Sequence, residues 1–219
     1  MIYKNIEIEE IENGIKIIGQ NNFEPSHIFD CGQCFRWIKE DDGSYTGVAM
    51  GKILNVSKRD GDIILLNTNL DDFENIWYDY FDLGRDYGQM IDKLKVHDDN
   101  LLKATEFGHG IRLLQQDGWE MLISFIISSN NRIPMIQRAI NNISENYGDC
   151  LGQYKGKIYY SFPSPAQLSK ASVEDLRNLK LGFRDKYVYE TTKAVLESGL
   201  DMVDFIKMEA DICQIGRAS

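Results

Sequence analysis

No apolar run in this 219-residue chain approaches the length of a membrane-spanning helix. The longest, Met121-Leu122-Ile123-Ser124-Phe125-Ile126-Ile127, is far short of the roughly 18–20 residues a bilayer requires. Cysteine is scarce, at 4, which excludes a disulfide-stapled scaffold and favours a reducing, intracellular setting. Proline is scarcer for its size class, at 4, and glycine is ordinary at 18, so collagen-like and low-complexity classes are excluded. The acid-rich start, Met1–Glu12, lacks the basic-then-apolar order of a signal peptide, and none is expected. Also missing are a glycine-rich phosphate loop, an H-E-x-x-H helix, a nucleophile elbow and the protein-kinase set.

Apolar residues make up 43% and aromatics 11%, enough to bury a real core, so the chain is neither disordered nor a coiled-coil rod. The net charge of −10 is unevenly placed. Residues 1–100 carry it all, while residues 101–199 are slightly positive. A globally acidic protein is a poor match for phosphate neutralisation, but a local basic face in the second half remains available.

The first 67 residues predict a twisted antiparallel sheet. Ile2–Ile8 and Gly14–Ile18 are isoleucine-rich runs, with Asn13-Gly14 between them as a hairpin turn. Tyr45–Ser57 reads as two strands broken at Met50-Gly51, and Asp60-Gly61 turns into Asp62–Leu66. Helices follow. Asn69 to Asp72 supply N-caps before Phe73, Ile76, Trp77, Tyr80 and Phe81, which repeat at helical spacing up to a stop at Gly84. Shorter helices carry Met90, Ile91 and Leu94, and then Leu101, Leu102 and Thr105, ending at Gly108. Asp117 caps Trp119–Ser128, which is apolar on nearly every side and therefore predicts a core helix. Ile133–Tyr147, Ala166–Lys170, Val173–Leu179 and Arg184–Leu196 complete the set. The expected fold class is α+β, with a sheet domain over 1–105, helices of a second domain over 106–208, and a divergent tail over 209–219.

Three segments carry candidate chemistry. Cys31-Gly32-Gln33-Cys34 is a C-x-x-C, but Cys150 and Cys213 stand alone, so a four-ligand zinc site is not assembled, and the β-rich setting is wrong for a thioredoxin-like motif. Phe35-Arg36-Trp37 follows it as a packing or base-stacking cluster. Ser128-Ser129-Asn130-Asn131-Arg132 sets amides and a guanidinium where the apolar helix meets solvent; these side chains contact base edges, though a polar helix cap uses the same residues. Leu179–Tyr187 combines a glycine turn, Phe183 and basic residues, which suits stacking on bases and holding phosphates, or an ordinary helix–helix turn. His27, His97 and His109 are scattered and suggest no ligand set.

Taken in order, five segments resemble the 8-oxoguanine DNA glycosylases: Cys31–Trp37, Gly110–Asp117, Ser124–Asn131, Phe162-Pro163-Ser164 and Leu181–Arg184. The resemblance implies an antiparallel, TATA-binding-protein-like sheet domain followed by the opening helices of a helix-hairpin-helix glycosylase domain. It implies base-excision repair of 8-oxoguanine in duplex DNA by base flipping, with glycosylase and abasic-site lyase activity. It assigns lesion contact to Gly32, Gln33 and Phe35, and DNA or opposite-base contact to Asn130, Phe183 and Arg184. In the family a backbone carbonyl, here that of Gly32, accepts from the N7–H that only the lesion carries. Asn130 fills the gap left by the flipped base. A second cytosine-reading arginine of many members falls at Met135, so strict preference for cytosine is not implied.

The family's nucleophilic lysine and its aspartate belong to a Leu-Pro-Gly-Val-Gly-x-Lys hairpin segment that nothing after Met208 resembles. The expectation is therefore an amino-terminal fragment with no catalytic residue of its own, inactive alone, needing no cofactor or metal, cytoplasmic and nucleoid-associated if prokaryotic, acting on lesion-containing duplex and monomeric at full length. An alkylpurine glycosylase relative, a non-catalytic damaged-DNA-binding remnant, and a small metal or redox protein on Cys31 and Cys34 are the alternatives.

Overall fold

The computed structural model describes residues 1–96 and 98–199, and the chain divides into two compact units, the first ending at Gln115 and the second beginning at Gln116.

The first unit is built on a seven-stranded antiparallel sheet. Its strands are β1 (Ile2–Tyr3), β2 (Ile6–Ile11), β3 (Gly14–Ile17), β4 (Trp37–Lys39), β5 (Tyr45–Ala49), β6 (Lys52–Arg59) and β7 (Asp62–Leu66), in the order β1-β2-β3-β7-β6-β5-β4. The expected run Ile2–Ile8 breaks at Lys4, which takes a left-handed conformation (φ 49°) and folds β1 back onto β2. The β2–β3 turn is also shifted from the expected one. Glu12 and Asn13 make it, with Asn13 at φ 57°, and Gly14 already pairs in β3. A Cβ at Gly14 would lie 2.1 Å from the Leu65 carbonyl oxygen, so this glycine serves strand contact rather than turning. Met50-Gly51 and Asp60-Gly61 do turn, each with two positive φ values.

Alternation along the strands sends Ile8, Ile15, Ile17, Leu54, Val56, Ile63 and Leu65 into a core with no exposure. Each such side chain contributes about 1.5–3 kcal/mol by burial. The opposing layer is α1 (Pro25–Phe29) and an irregular helical segment: α2 (Leu70–Asp72), a π-turn over Phe73–Trp77, and α3 (Tyr78–Tyr80). Asn69 caps it by accepting from the Asp72 N–H. The wide π-turn brings Phe73, Trp77, Tyr80 and Phe81 inward together, and the segment stops at Phe81, short of Gly84. Trp77 and Trp37 satisfy their indole N–H groups on Thr68 Oγ1 (2.8 Å) and Tyr80 Oη (3.0 Å). Two helices follow, α4 (Tyr87–Lys95) and α5 (Asp99–Phe107). α4 carries Met90, Ile91 and Leu94 as expected; Met90 and Leu94 are exposed, and Tyr87 is the residue it buries.

The second unit contains α6 (Gly118–Ser128), α7 (Ile133–Tyr147), a ribbon of β8 (Cys150–Tyr154) and β9 (Lys157–Tyr160), α8 (Pro165–Leu168), α9 (Val173–Leu176), a π-turn over Arg177–Leu181, a 3-10 turn over Gly182–Arg184, and α10 (Asp185–Ser198). Asp117 caps α6 through the Glu120 N–H, and Ser164 and Ser172 form capping boxes on α8 and α9. The expectation that α6 is covered on all sides needs correction. Trp119, Ile123 and Ile127 are buried, but Met121 and Phe125, one turn apart, are 45% and 75% exposed. Residues 209–219, expected as a divergent tail, lie outside the described residues, as do 200–208.

Candidate nucleic-acid interface

In the first unit the candidate loop leaves α1 at Asp30. Gly32 is exposed and sits at φ 87°, where L side chains are strained, and open space surrounds the position its Cβ would take. The loop thus presents bare backbone to solvent. Cys31 is an exposed thiol donating to the Ile28 carbonyl (3.4 Å), and Cys34 is buried with its sulfur 3.8 Å from the Phe29 carbonyl, so both sulfurs pack against the end of α1. Phe35 is half-buried, while Arg36 and Trp37 are buried, with Trp37 stacked on Phe29 at 4.2 Å.

Gln33 turns its amide to the main chain. Its Nε2 donates to the carbonyls of Ile28 and Arg112, each at 2.9 Å, and its Oε1 accepts from the Leu114 N–H at 3.0 Å. The segment it grips, residues 111–117, has neither helix nor strand. Arg112 is 2% exposed, and its guanidinium donates to the carbonyls of Phe81 (2.8 Å), Asn22 (3.0 Å) and Asp82 (2.6 Å). Burial pushes its pKa down, partly opposed by Tyr87 and Asp82. Tyr87 lies under the guanidinium at 4.2 Å, accepts from the Leu113 N–H (2.9 Å) and donates to Asp82 (2.9 Å); burial chiefly pushes its phenol upward. Sequence reasoning missed the structural use of Arg112, Tyr87 and Asp82. The one available signal was a charged residue inside the apolar run Ile111-Arg112-Leu113-Leu114.

In the second unit the structure brings Asn130, Phe183 and Arg184 together. Asn130 follows α6 at φ 49°, exposed, beside Asn131, whose side-chain amide donates back to the Ile127 carbonyl (3.1 Å). Arg184 is 7% exposed. Its Nε and Nη2 donate to the Ser129 carbonyl at 2.9 and 2.6 Å, Nη2 donates to the Asn130 carbonyl at 2.8 Å, and Nη1 donates to Leu181 at 3.3 Å. The guanidinium also lies over the Phe183 ring at 4.3 Å, and Phe183 itself is 60% exposed. Arg184 therefore holds the Asn130 turn and the Phe183 turn against each other through their main chains. Asn130 lines a surface recess with Ser128, Asn131, Arg132 and Met135, so Met135 sits beside the candidate opposite-base residue. Gly32, Gln33 and Phe35 belong to the first unit and these residues to the second. Among the described residues no group of three or more His, Cys, Asp or Glu side chains is placed to hold a metal, and no helix is long and apolar enough to cross a membrane.

An antiparallel sheet unit with an exposed glycine loop, followed by a mostly helical unit in which Arg184 pins Asn130 and Phe183 together, defines an α+β fold of two units. Residues 16–122 match the family described as 8-oxoguanine DNA glycosylase, N-terminal domain. The chain is 46% identical to the Clostridium acetobutylicum 8-oxoguanine glycosylase/lyase in its apo form, with a TM-score of 0.87 over 91% of this chain and 69% of that one. Against the same enzyme in complex with double-stranded DNA containing cytosine opposite 8-oxoG, identity is 44% and the TM-score 0.86, over 95% of this chain and 70% of that one. The Saccharomyces cerevisiae N-glycosylase/DNA lyase is 31% identical over 186 residues, 78% of this chain and 49% of the relative. The chain spans about half the length of the curated relatives it matches. The chain belongs to the 8-oxoguanine DNA glycosylase family.

Proposed function

We propose that this chain is the lesion-reading part of an 8-oxoguanine DNA glycosylase/lyase that acts on duplex DNA. A glycosylase reaches its target by turning the nucleotide out of the stack, at a cost of about a few kcal/mol for unpairing and unstacking. The lesion differs from guanine at C8 and at N7, where it carries a hydrogen in place of a lone pair. The Gly32 carbonyl accepts that hydrogen, with Gln33 and Phe35 completing the loop around it. A matched hydrogen bond contributes about 0.5–1.5 kcal/mol net, and an unmet acceptor facing guanine's lone pair costs about 1–3 kcal/mol. Together they discriminate by a few kcal/mol, roughly two to three powers of ten.

In the second unit, Asn130 occupies the gap left by the flipped base and contacts the base opposite. Phe183 wedges into the stack. Arg184 sets both and contributes to reading the opposite strand. With Met135 in the recess, contact to the opposite base rests on fewer donors, so preference for cytosine is relaxed. The base-expelling step in this family uses a lysine amine as nucleophile on the sugar C1′, forming a Schiff base, with an aspartate assisting by electrostatics. Nothing in this chain's sequence matches the segment carrying those two residues, so the 219-residue polypeptide binds without cleaving. Its place of action is where the DNA is, which in a prokaryotic cell is the nucleoid in the cytoplasm.

The observation that best supports this reading is the exposed, positive-φ Gly32 in a chain 44–46% identical to 8-oxoguanine glycosylases over more than nine-tenths of its length. The test is binding of the chain to otherwise identical duplexes with 8-oxoguanine or guanine opposite cytosine. Tighter binding of the lesion duplex, lost in Gly32→Ala, is expected. Equal affinity for the two duplexes would overturn the assignment of Gly32.

A further inference from the structure

The Gly32 carbonyl and the Gln33 N–H share one planar peptide unit, so whatever restrains the Gln33 main chain restrains the direction of that carbonyl. Gly32 cannot fix it alone. Its left-handed φ is open to several ψ values, and nothing packs within 4 Å of the position a Cβ would take. Gln33 supplies the constraint through a side chain bound at three points. Two of them, the Arg112 carbonyl and the Leu114 N–H, bracket Leu113 on a single irregular strand of chain, and the third, the Ile28 carbonyl, closes the last turn of α1.

The irregular strand would be a poor anchor by itself, because no ladder of backbone hydrogen bonds holds it. It is instead tied residue by residue. The Arg112 guanidinium reaches three carbonyls of other segments at 3.0 Å or less, the Leu113 N–H donates to Tyr87 Oη, and the Gln115 N–H donates to the Tyr80 carbonyl at 2.9 Å. Tyr87 Oη is itself fixed by Asp82 and its ring by the guanidinium above it. The chain of support runs from Asp82 to Tyr87, from Tyr87 to residues 112–114, from these to Gln33, and from Gln33 to the carbonyl of Gly32.

We infer that Gln33 is a positioning residue that aims the Gly32 carbonyl at the lesion, and that Tyr87, distant in sequence and on another helix, supports it by holding residues 112–114. The inference rests on the reading of Gly32 as the lesion discriminator. It differs from direct recognition by Gln33, because both Nε2 hydrogens already have main-chain acceptors. A misaimed carbonyl loses the lesion's hydrogen bond and also the repulsion of guanine, so the signature is a fall in preference rather than in general affinity for DNA.

The experiment measures dissociation constants of the 219-residue protein for 8-oxoguanine and guanine duplexes, with thermal melts of each variant. Gln33→Met keeps the side-chain length and removes all three bonds. Tyr87→Phe keeps the ring beneath Arg112 and removes only the hydroxyl. In Gln33→Met the ratio of the two constants is expected to fall about tenfold, the contribution of one well-aligned hydrogen bond. In Tyr87→Phe it falls by a smaller factor, at least about threefold, with affinity for the guanine duplex level or higher. If the wild type shows no preference, the reading of Gly32 fails and this inference with it. If the wild type prefers the lesion and Gln33→Met keeps the full ratio, Gly32 stands and the positioning role of Gln33 falls. Should Gln33→Met fail to melt cooperatively, Tyr87→Phe decides: an unchanged ratio in a folded Tyr87→Phe protein overturns the inference.

Discussion

Replacing Arg184 by alanine separates two ways in which a basic residue can serve DNA binding. A surface arginine that neutralises a phosphate releases a counterion, and its loss lowers the salt slope of binding by about one unit. Arg184 is instead nearly buried, and its guanidinium meets the carbonyls of Ser129, Asn130 and Leu181. Hydrogen bonds to a charged group contribute about 1.5–3 kcal/mol each, but they are not additive, and water can reach the exposed Ser129 and Asn130 carbonyls once the side chain is gone. A total loss of about 2–4 kcal/mol is expected, which for a chain of this size lowers Tm by about 5–15 °C. With the turn released, Asn130 leaves its left-handed conformation and Phe183 loses the cation on its face. Arg184→Ala should therefore weaken binding to lesion and normal duplex alike while leaving the salt slope unchanged. Fluorescence anisotropy across a salt series, read beside a thermal melt, gives both quantities. An unchanged Tm with a slope reduced by one would show that Arg184 contacts a phosphate and that the main-chain bonds are incidental.

Four further outcomes are expected. Gly32→Ala strains a residue at φ 87° and obstructs approach to the carbonyl, so the lesion-to-guanine preference should fall toward unity with little change in affinity for normal duplex; retained preference places the reading elsewhere. Borohydride treatment of the 219-residue polypeptide with 8-oxoguanine or abasic duplex should trap no covalent adduct, and an adduct at the mass of this chain plus DNA would identify a lysine within it as nucleophile. Phe125→Gln, on the exposed face of α6, should change stability by less than about 0.5 kcal/mol, whereas Ile123→Ala on its buried face should cost about 2–5 kcal/mol in urea unfolding. Asp175 has its pKa lowered by the Ser172 hydroxyl and then by the Ser172 N–H, so its contribution is present above the ordinary carboxylate range and is lost as pH falls through the lowered value; Asp175→Asn should flatten the acid limb of the stability curve below about pH 4.

What could be read from the sequence was local. Asp60-Gly61 and Met50-Gly51 turn because adjacent residues take positive φ, and Asn69 and Asp117 cap because their side chains reach N–H groups three residues ahead. The β8–β9 ribbon was missed although Lys155-Gly156 carries the same two-residue turn signature, with φ 46° and 78°. Other features depend on partners far along the chain. The π-turn at Phe73–Trp77 answers to the shape of the sheet beneath it, and the exposure of Phe125 and Met90 depends on what other elements leave uncovered. The site was legible through motif resemblance rather than chemistry. Gly32, Asn130 and Phe183 are exposed, as the proposed contact with DNA requires. No local pattern distinguishes the main-chain grips of Gln33 and Arg184 from contacts to a base, because both use the same donors.

The strand order β1-β2-β3-β7-β6-β5-β4 has a kinetic consequence. It joins two meanders, β1–β3 and β4–β7, each made of neighbouring hairpins that form quickly from local contacts. The seam between them is the pairing of Gly14–Ile17 with Ile63–Leu66, which must close a long excursion of chain. That excursion contains α1 and the glycine loop. Each meander can zip on its own, but the loop has no fixed ends until the seam forms, and its grip on residues 112–114 requires chain still further along. In a refolding experiment, amide protection should therefore appear first in the hairpins and last around residues 31–34, so that the chain acquires its sheet before the loop proposed to read the lesion takes its shape.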